Sequence, residues 1–518
     1  MATTALDFPE AANQGSITYR IPPEVLANCF AFLRLVDCFR ASFVSRYWRA
    51  VALSTPGLWA RVSMDCSDAE DLAGLNMILA RAGQVPAHLK LWPETAYYPA
   101  PAPALAPGTI LRPHTHRTKC LEWWSCDLDG RAIGAAPFLE HLTVHGRLDI
   151  PEDFLGGRAA RLRSLSFHDG VLPRTCAALS TLVVLDVRYL DKFLAPPPSL
   201  ETLFDLCPIL ESLTLAGLRA AYSNALPRGR APQTLRALKL TTRDDDYDLT
   251  QHYFAWQAPN LRYVTLSMGE AQSGTYPIPQ ALIAGATALT VMSYTLGART
   301  PFGTFVLAEY PAAEACEYTV SIPGAEVSCV VSHIMAARAS LQAVHTVRLS
   351  LNALAPCLDL IASLPALRHL TIFIGWNLAH EHVFAPDIPA LACLARLLPS
   401  LDSLVLRLGT CIATPGSERI SAADARILLD VLGPLGPLAL PEIQIQGFAA
   451  QDLLGVEMPV GGPRLRFDTT ALDVLELPSE LPTPCCAAAL HDYRVGRSSY
   501  MRKHRERLQR PTEWVSGL

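Results

Sequence analysis

One aliphatic pattern recurs through the middle of the chain and limits its possible folds more than any other feature. It reads Leu139-x-x-Leu142-x-Val144, Leu162-x-x-Leu165-x-Phe167, Leu182-x-x-Leu185-x-Val187, Leu210-x-x-Leu213-x-Leu215, Leu235-x-x-Leu238-x-Leu240 and Leu261-x-x-Val264-x-Leu266, then Val344-x-x-Val347-x-Leu349, Leu367-x-x-Leu370-x-Ile372 and Leu401-x-x-Leu404-x-Leu406. Residues two apart point to the same side of an extended chain, so each copy predicts one short strand with one buried side. The first six copies start 23, 20, 28, 25 and 26 residues apart. A unit of that size cannot bury its apolar side alone, whereas stacked neighbours join their leucines into one continuous column.

Motif and period together resemble leucine-rich repeats. A regular repeat of that family carries Asn or Cys three positions after the last leucine, but here Leu218 follows Leu215 and Arg243 follows Leu240. The resemblance therefore implies degenerate repeats with irregular strand pairing. Leu203 to Pro208 reads as a helical or irregular connector. Ala390 to Pro399 and Ala422 to Leu432 read as helices, the second capped by Ser421, and Leu440 to Ile445 as a last strand. Residues 270 to 340 break the period, as an insertion or a distorted pair of repeats.

A different pattern precedes the repeats. Pro22 and Pro23 lack amide donors and suit the first turn of a helix, on which Val25, Leu26, Cys29, Phe30 and Leu33 fall on one side. Asp37 predicts the cap of a second helix with Phe39, Ala41 and Phe43, and Ser45 that of a third with Trp48, Val51 and Ala52 before Pro56. Some 40 residues lie near the lower limit for a self-supporting core, so this module leans on a neighbour or a partner.

Ile21-Pro22, then Leu26, Phe30 and Leu33, then Val44-Ser45-Arg46-Tyr47-Trp48-Arg49 resembles an F-box. Ile21 stands where Leu is usual, a nearly volume-conserving change. Thr55-Pro56-Gly57-Leu58-Trp59, an acidic helix near residues 68 to 82 and the segment Arg81 to Leu91 resemble the large fungal group of F-box proteins. The resemblance implies docking on a Skp-family adaptor of a cullin complex through Ile21, Pro22, Val25, Leu26, Phe30 and Leu33. Val44, Trp48 and Val51 would hold the helices together, and the repeats would bind a target protein. Two other readings are a non-catalytic repeat scaffold whose box-like module serves another assembly, and an enzyme seated in the irregular region 270 to 340.

The expected fold class is α/β, an F-box helical module followed by an irregular leucine-rich-repeat-like solenoid. Its divisions are a disordered leader (1–19), the helical module (20–60), a strand-helix-strand joint (61–92), a Pro/Ala-rich linker or loop (93–118), the degenerate repeat domain (119–485) and a basic tail (486–518).

Half of the 518 residues are hydrophobic and 18% are charged, which predicts an ordered chain. A net charge of -5 gives no general pull on nucleic acid or anionic membrane. The N-terminus lacks a basic start followed by an apolar core, and Ala281 to Met292 is too short to span a bilayer, so a cytoplasmic or nuclear location is expected, with reduced cysteines. No C-x-x-C, nucleophile elbow, phosphate loop, dinucleotide fingerprint or H-E-x-x-H is present, so neither enzyme activity, cofactor nor metal is expected. His114-Thr115-His116 and His380-Glu381-His382 read as surface loops, and Asp244-Asp245-Asp246 with Asp248 as a solvated acidic loop. The arginine-rich stretch from Arg494 to Arg510 reads as a solvated terminal helix, with a nuclear-import or nucleic-acid patch as the alternative.

Overall fold

The computed structural model describes residues 21–66, 69–92, 106–124, 127–157, 161–189, 200–242, 244, 249–258, 260–267, 283–295, 302–310, 317–323, 327–374, 401–408, 442–446 and 464–468. It mixes helices with mostly parallel strands in two compact units, residues 1–241 with 249–261, and residues 242–248 with 262–518. The division falls inside the stretch expected to be one repeat domain.

Three helices open the first unit: α1 (Pro23–Ala31), α2 (Leu35–Val44) and α3 (Arg46–Ser54). Ser45 caps α3, its hydroxyl accepting from the Trp48 amide at 3.1 Å. Asp37 does not cap α2. Arg34 takes the extended cap position, and Asp37 lies in the first turn, where its carboxylate pairs with Arg34 and Arg40, both at 3.0 Å, beside the positive end of the helix.

β1 (Arg61–Asp65), α4 (Ala69–Ala82) and β2 (Ala87–Trp92) follow, then α5 (Pro107–Thr115), β3 (Thr118–Trp123), β4 (Asp127–Asp129), β5 (His141–Val144), β6 (Arg147–Asp149), β7 (Ser164–His168), β8 (Gly170–Val171) and β9 (Val184–Arg188). α6 (Leu203–Leu206), β10 (Ser212–Leu218), β11 (Ala237–Thr242) and α7 (Thr250–Trp256) complete the unit. β1, β2, β3, β5, β7, β9 and β10 pair in that order, all parallel. Register lines up Val62, Leu89, Leu121, Leu142, Leu165, Leu185 and Leu213 as one column. Met64, Leu91, Trp123, Val144, Phe167, Val187 and Leu215 form the next, and all members of both columns except Met64 are buried. β1 and β2, expected to be a separate joint, are thus the first two strands of the same sheet. Arg236 and Ala237 carry the ladder on to β11 by donating to the Glu211 carbonyl at 2.8 and 2.9 Å.

α5 lies within the span expected to be a linker. Pro107 starts it, and Ile110, Leu111 and His114 at i, i+1 and i+4 are buried, so the Pro/Ala-rich segment supplies a packed helix. A second, three-stranded parallel sheet joins β4, β6 and β8. Gly170 faces Leu148 there at φ +133°, and any side chain on it would run into the Leu148 carbonyl oxygen.

The second unit contains β12 (Tyr263–Ser267), β13 (Ala288–Thr295), β14 (Phe302–Glu309), β15 (Glu317–Pro323), α8 (Val327–Ala336), β16 (Thr346–Ser350), α9 (Leu354–Ala362), β17 (His369–Ile374), β18 (Ser403–Leu408), β19 (Glu442–Gln446) and β20 (Arg464–Asp468). β16 to β20 pair in chain order and in parallel. The break in the period is an antiparallel meander: β14 runs against both β13 and β15, while β13 pairs in parallel with β16, and β15 with β12. Leu289 and Val291 consequently line up with Val347 and Leu349, then Leu370 and Ile372, then Leu404 and Leu406, all buried.

The leader, residues 93–105, Asp245, Asp246 and Asp248, His380 to His382, the helices expected at 390–399 and 422–432, and the basic tail lie outside the described residues.

Leu165→Ala is expected to cost about 2–5 kcal/mol and Ser166→Ala, on the opposite side of the same strand, less than about 0.5 kcal/mol, as read by urea denaturation. Gly170→Ala should cost more than about 3 kcal/mol, since it adds a backbone clash to a left-handed φ.

His114 gives a pH signature. Far from lying in a surface loop, it is buried on α5 with no hydrogen-bond partner for Nε2, and burial, with Arg117 and His116 adding repulsion, lowers its pKa from 6.5 to about 4. The folded state holds it neutral while the unfolded chain protonates it near 6.5, so its contribution is complete above that pH and drains away as pH falls towards 4. Denaturation at a series of pH values should show a shallower loss over this window in His114→Leu than in the parent; identical slopes would refute the assignment.

Candidate protein-docking face

The helical module sorts its apolar residues into two sets. Leu26 and Phe30, four apart on α1, are 3% and 2% exposed. The Trp48 ring meets Phe30 edge-on at 5.2 Å, and Tyr47 Oη donates to the Ile21 carbonyl at 2.6 Å, tying α3 to the start of α1. Cys38 is buried beneath them and donates to the Phe30 carbonyl at 3.5 Å; burial, then the charge of Asp37, pushes its thiol pKa up.

The other set faces outward. Val25, Cys29, Phe32 and Leu33 fall at i, i+4, i+7 and i+8 and are all exposed, Phe32 by 91%. Val36, Phe43 and Val44 repeat the spacing on α2 at i, i+7 and i+8, and Leu53 is exposed on α3. Seven of the large apolar side chains exposed among the described residues thus belong to this module, five within its helices and Phe32 and Leu33 just past the end of α1, a concentration that marks an interaction surface.

This arrangement corrects three assignments. Leu26 and Phe30, expected to touch a partner, are internal. Val44, expected to hold the helices together, is 62% exposed because it ends α2 on the stripe begun by Val36. Val51 is buried and Trp48 half-buried; Ile21 is half-buried, and Pro22, Val25 and Leu33 are at the surface. Phe32 was legible only as the i+7 companion of Val25, a weak signal because it falls one residue past the end of a nine-residue helix.

The module is seated on the rest of its unit by Trp59. This residue is wholly buried, its Nε1 donates to the Ala52 carbonyl at 2.8 Å, and Phe39 meets it edge-on at 5.0 Å. The Arg81 guanidinium of α4 lies over both rings, 4.8 Å from Trp59 and 5.1 Å from Phe39, and burial lowers its pKa.

A polar cluster occupies the outward side of the first sheet. Glu122 accepts from Lys90 at 2.8 Å and from Trp124 Nε1 at 2.7 Å, and lies 3.1 Å from His145 Nε2. The Trp124 and His145 rings stack at 3.6 Å. Burial alone would raise the Glu122 pKa, but hydrogen bonds from Lys90 and Trp124 outweigh it and hold the carboxylate below its ordinary range. Burial lowers the pKa of His145 against the opposing pull of Glu122. The polar groups of the cluster are paired with one another. Among the described residues no three His, Cys, Asp or Glu side chains converge as a metal site.

Residues 18–65 match the F-box-like family, a span that contains the whole three-helix module. F-box-like domains commonly bind Skp-family adaptors and are typically non-catalytic. No curated protein matches the chain by sequence.

Leu26→Ala and Phe30→Ala should each lower stability by about 2–5 kcal/mol, whereas Phe32→Ala should change it by less than about 0.5 kcal/mol, in urea titrations of the full chain.

Proposed function

We propose that the chain is the substrate-recognition subunit of a Skp-cullin-F-box ubiquitin ligase. The observation that carries this reading is the coincidence of the F-box-like match with the module that exposes two apolar stripes. Val25, Phe32 and Leu33 would bury themselves against the adaptor, with Ile21 and Pro22 at the rim, while Leu26 and Phe30 act from beneath by fixing the helix that presents them. The parallel strands behind the module, read as degenerate leucine-rich repeats like those of fungal F-box proteins, would hold a target protein. No bond chemistry falls to this subunit. It raises the local concentration of target lysines beside a ubiquitin-charged enzyme, a proximity effect, in the cytoplasm or nucleus.

Burial of one Phe side chain contributes about 1.5–3 kcal/mol, so Phe32→Asp should weaken adaptor binding by at least about tenfold with the thermal midpoint unchanged. Titration of purified chain with adaptor in a calorimeter reads this directly. Parent-like affinity in the variant would exclude this face, and absence of binding by the parent would favour a scaffold serving another assembly.

A further inference from the structure

A cavity of about 500 Å3 opens along the edge where strands β5, β7, β9 and β10 begin, lined by Glu140, Arg161, Arg163, Thr181, Val183 and Ile209. The backbone builds its floor. Arg163 donates to the Glu140 carbonyl at 2.8 Å, Val183 to the Arg163 carbonyl at 2.9 Å and Glu211 to the Val183 carbonyl at 2.8 Å, which sets Glu140, Arg163 and Val183 side by side, each just before its strand begins.

Its charge is unbalanced. Glu140 is already engaged by Lys119 at 3.2 Å. Among the described residues neither Arg161 nor Arg163 has a carboxylate within ion-pair distance, and the Arg161 guanidinium is propped over the Phe138 ring at 5.6 Å. Two exposed guanidiniums therefore stand beside the one lining carboxylate, which Lys119 engages, while the exposed Glu211 lies one strand further along the row, beyond Val183.

Its apolar character is also unusual. Among the described residues, the large apolar side chains exposed in the first unit outside the helical module are Phe138, Val171, Val184 and Ile209, and two of them belong to this place: Ile209 lines the cavity and Phe138 supports Arg161. Exposed aliphatic and aromatic surface beside unpaired guanidiniums is complementary to one class of ligand. We infer that this cavity binds a peptide segment bearing carboxylate side chains next to an apolar one, with the arginines reading the carboxylates and Val183 and Ile209 taking the apolar group. The inference rests on the proposed role of the chain as a receptor for a target protein, and names the chemistry of the recognised segment.

The test uses the full chain and three fluorescent heptapeptides in anisotropy titrations: a Leu-Phe pair flanked by aspartates, the same pair flanked by lysines, and the aspartate-flanked peptide with the pair replaced by two serines. The aspartate-flanked Leu-Phe peptide should bind at least about tenfold tighter than either control, and its affinity should fall as salt rises. Arg163→Glu should remove at least about tenfold of that affinity, with Arg163→Gln and Ile209→Ser intermediate and thermal melts verifying the fold of each. Equal binding of the three peptides, no binding of the aspartate-flanked Leu-Phe peptide, or an unchanged affinity in both Arg163 variants would overturn the assignment. Adaptor binding measured on the same samples separates the two readings: its loss with peptide binding intact counts against the ligase role alone.

Discussion

Everything described depends on strand register. Side chains alternate along a strand, so a slip by one residue would turn Leu142, Leu165, Leu185 and Leu213 to solvent and bring Thr143, Ser166, Asp186 and Thr214 inside. The leucine columns thereby fix the outward groups as firmly as the inward ones. Lys90 meets Glu122 because Leu89 stacks on Leu121, and the row that carries Glu140, Arg163 and Val183 sits where it does because the residues after it are locked in the core. A buried apolar ladder with no chemistry of its own determines which polar groups become neighbours.

The helical module obeys the same economy by other means. Its core of Leu26, Phe30, Cys38, Val51 and Ala52 is small for three helices, and Trp59 with Arg81 adds the missing cover by pinning the module to α4. Because that cover comes from the body of the unit, the outward residues need not fold back to protect the core. Phe32 and Val44 can stay at the surface without exposing what lies beneath.

Much of this was legible from residue order. The nine aliphatic motifs mark nine strands of the parallel ladders, and Ser45 marks the start of α3 as its spacing predicts. Three things were not legible, for physical reasons. An amphipathic helix shows which residues avoid water but not whether its own chain or another covers them, so Leu26 and Phe30 could not be told from Val25 and Leu33. Proline density hid α5, since the same residue that favours an extended linker also starts a helix, and only tertiary burial of Ile110 and Leu111 decides between them. The cavity at Arg161 and Arg163 draws its lining from four separate strand starts, which no local pattern unites.

The antiparallel strand β14 carries a consequence for how the chain is made. Through the first sheet, from β5 to β10, each strand pairs with the one finished about twenty to thirty residues earlier, so the ladder can lengthen as it leaves the ribosome. In the second unit Tyr263 of β12 lies opposite Glu317 of β15, and Ala288 of β13 opposite Thr346 of β16. Within that unit β12 has to wait for three further strands to be synthesised before its neighbour exists. Spatial order and birth order part company there, and the leading half of the molecule can be complete while the trailing half is still committing to a topology.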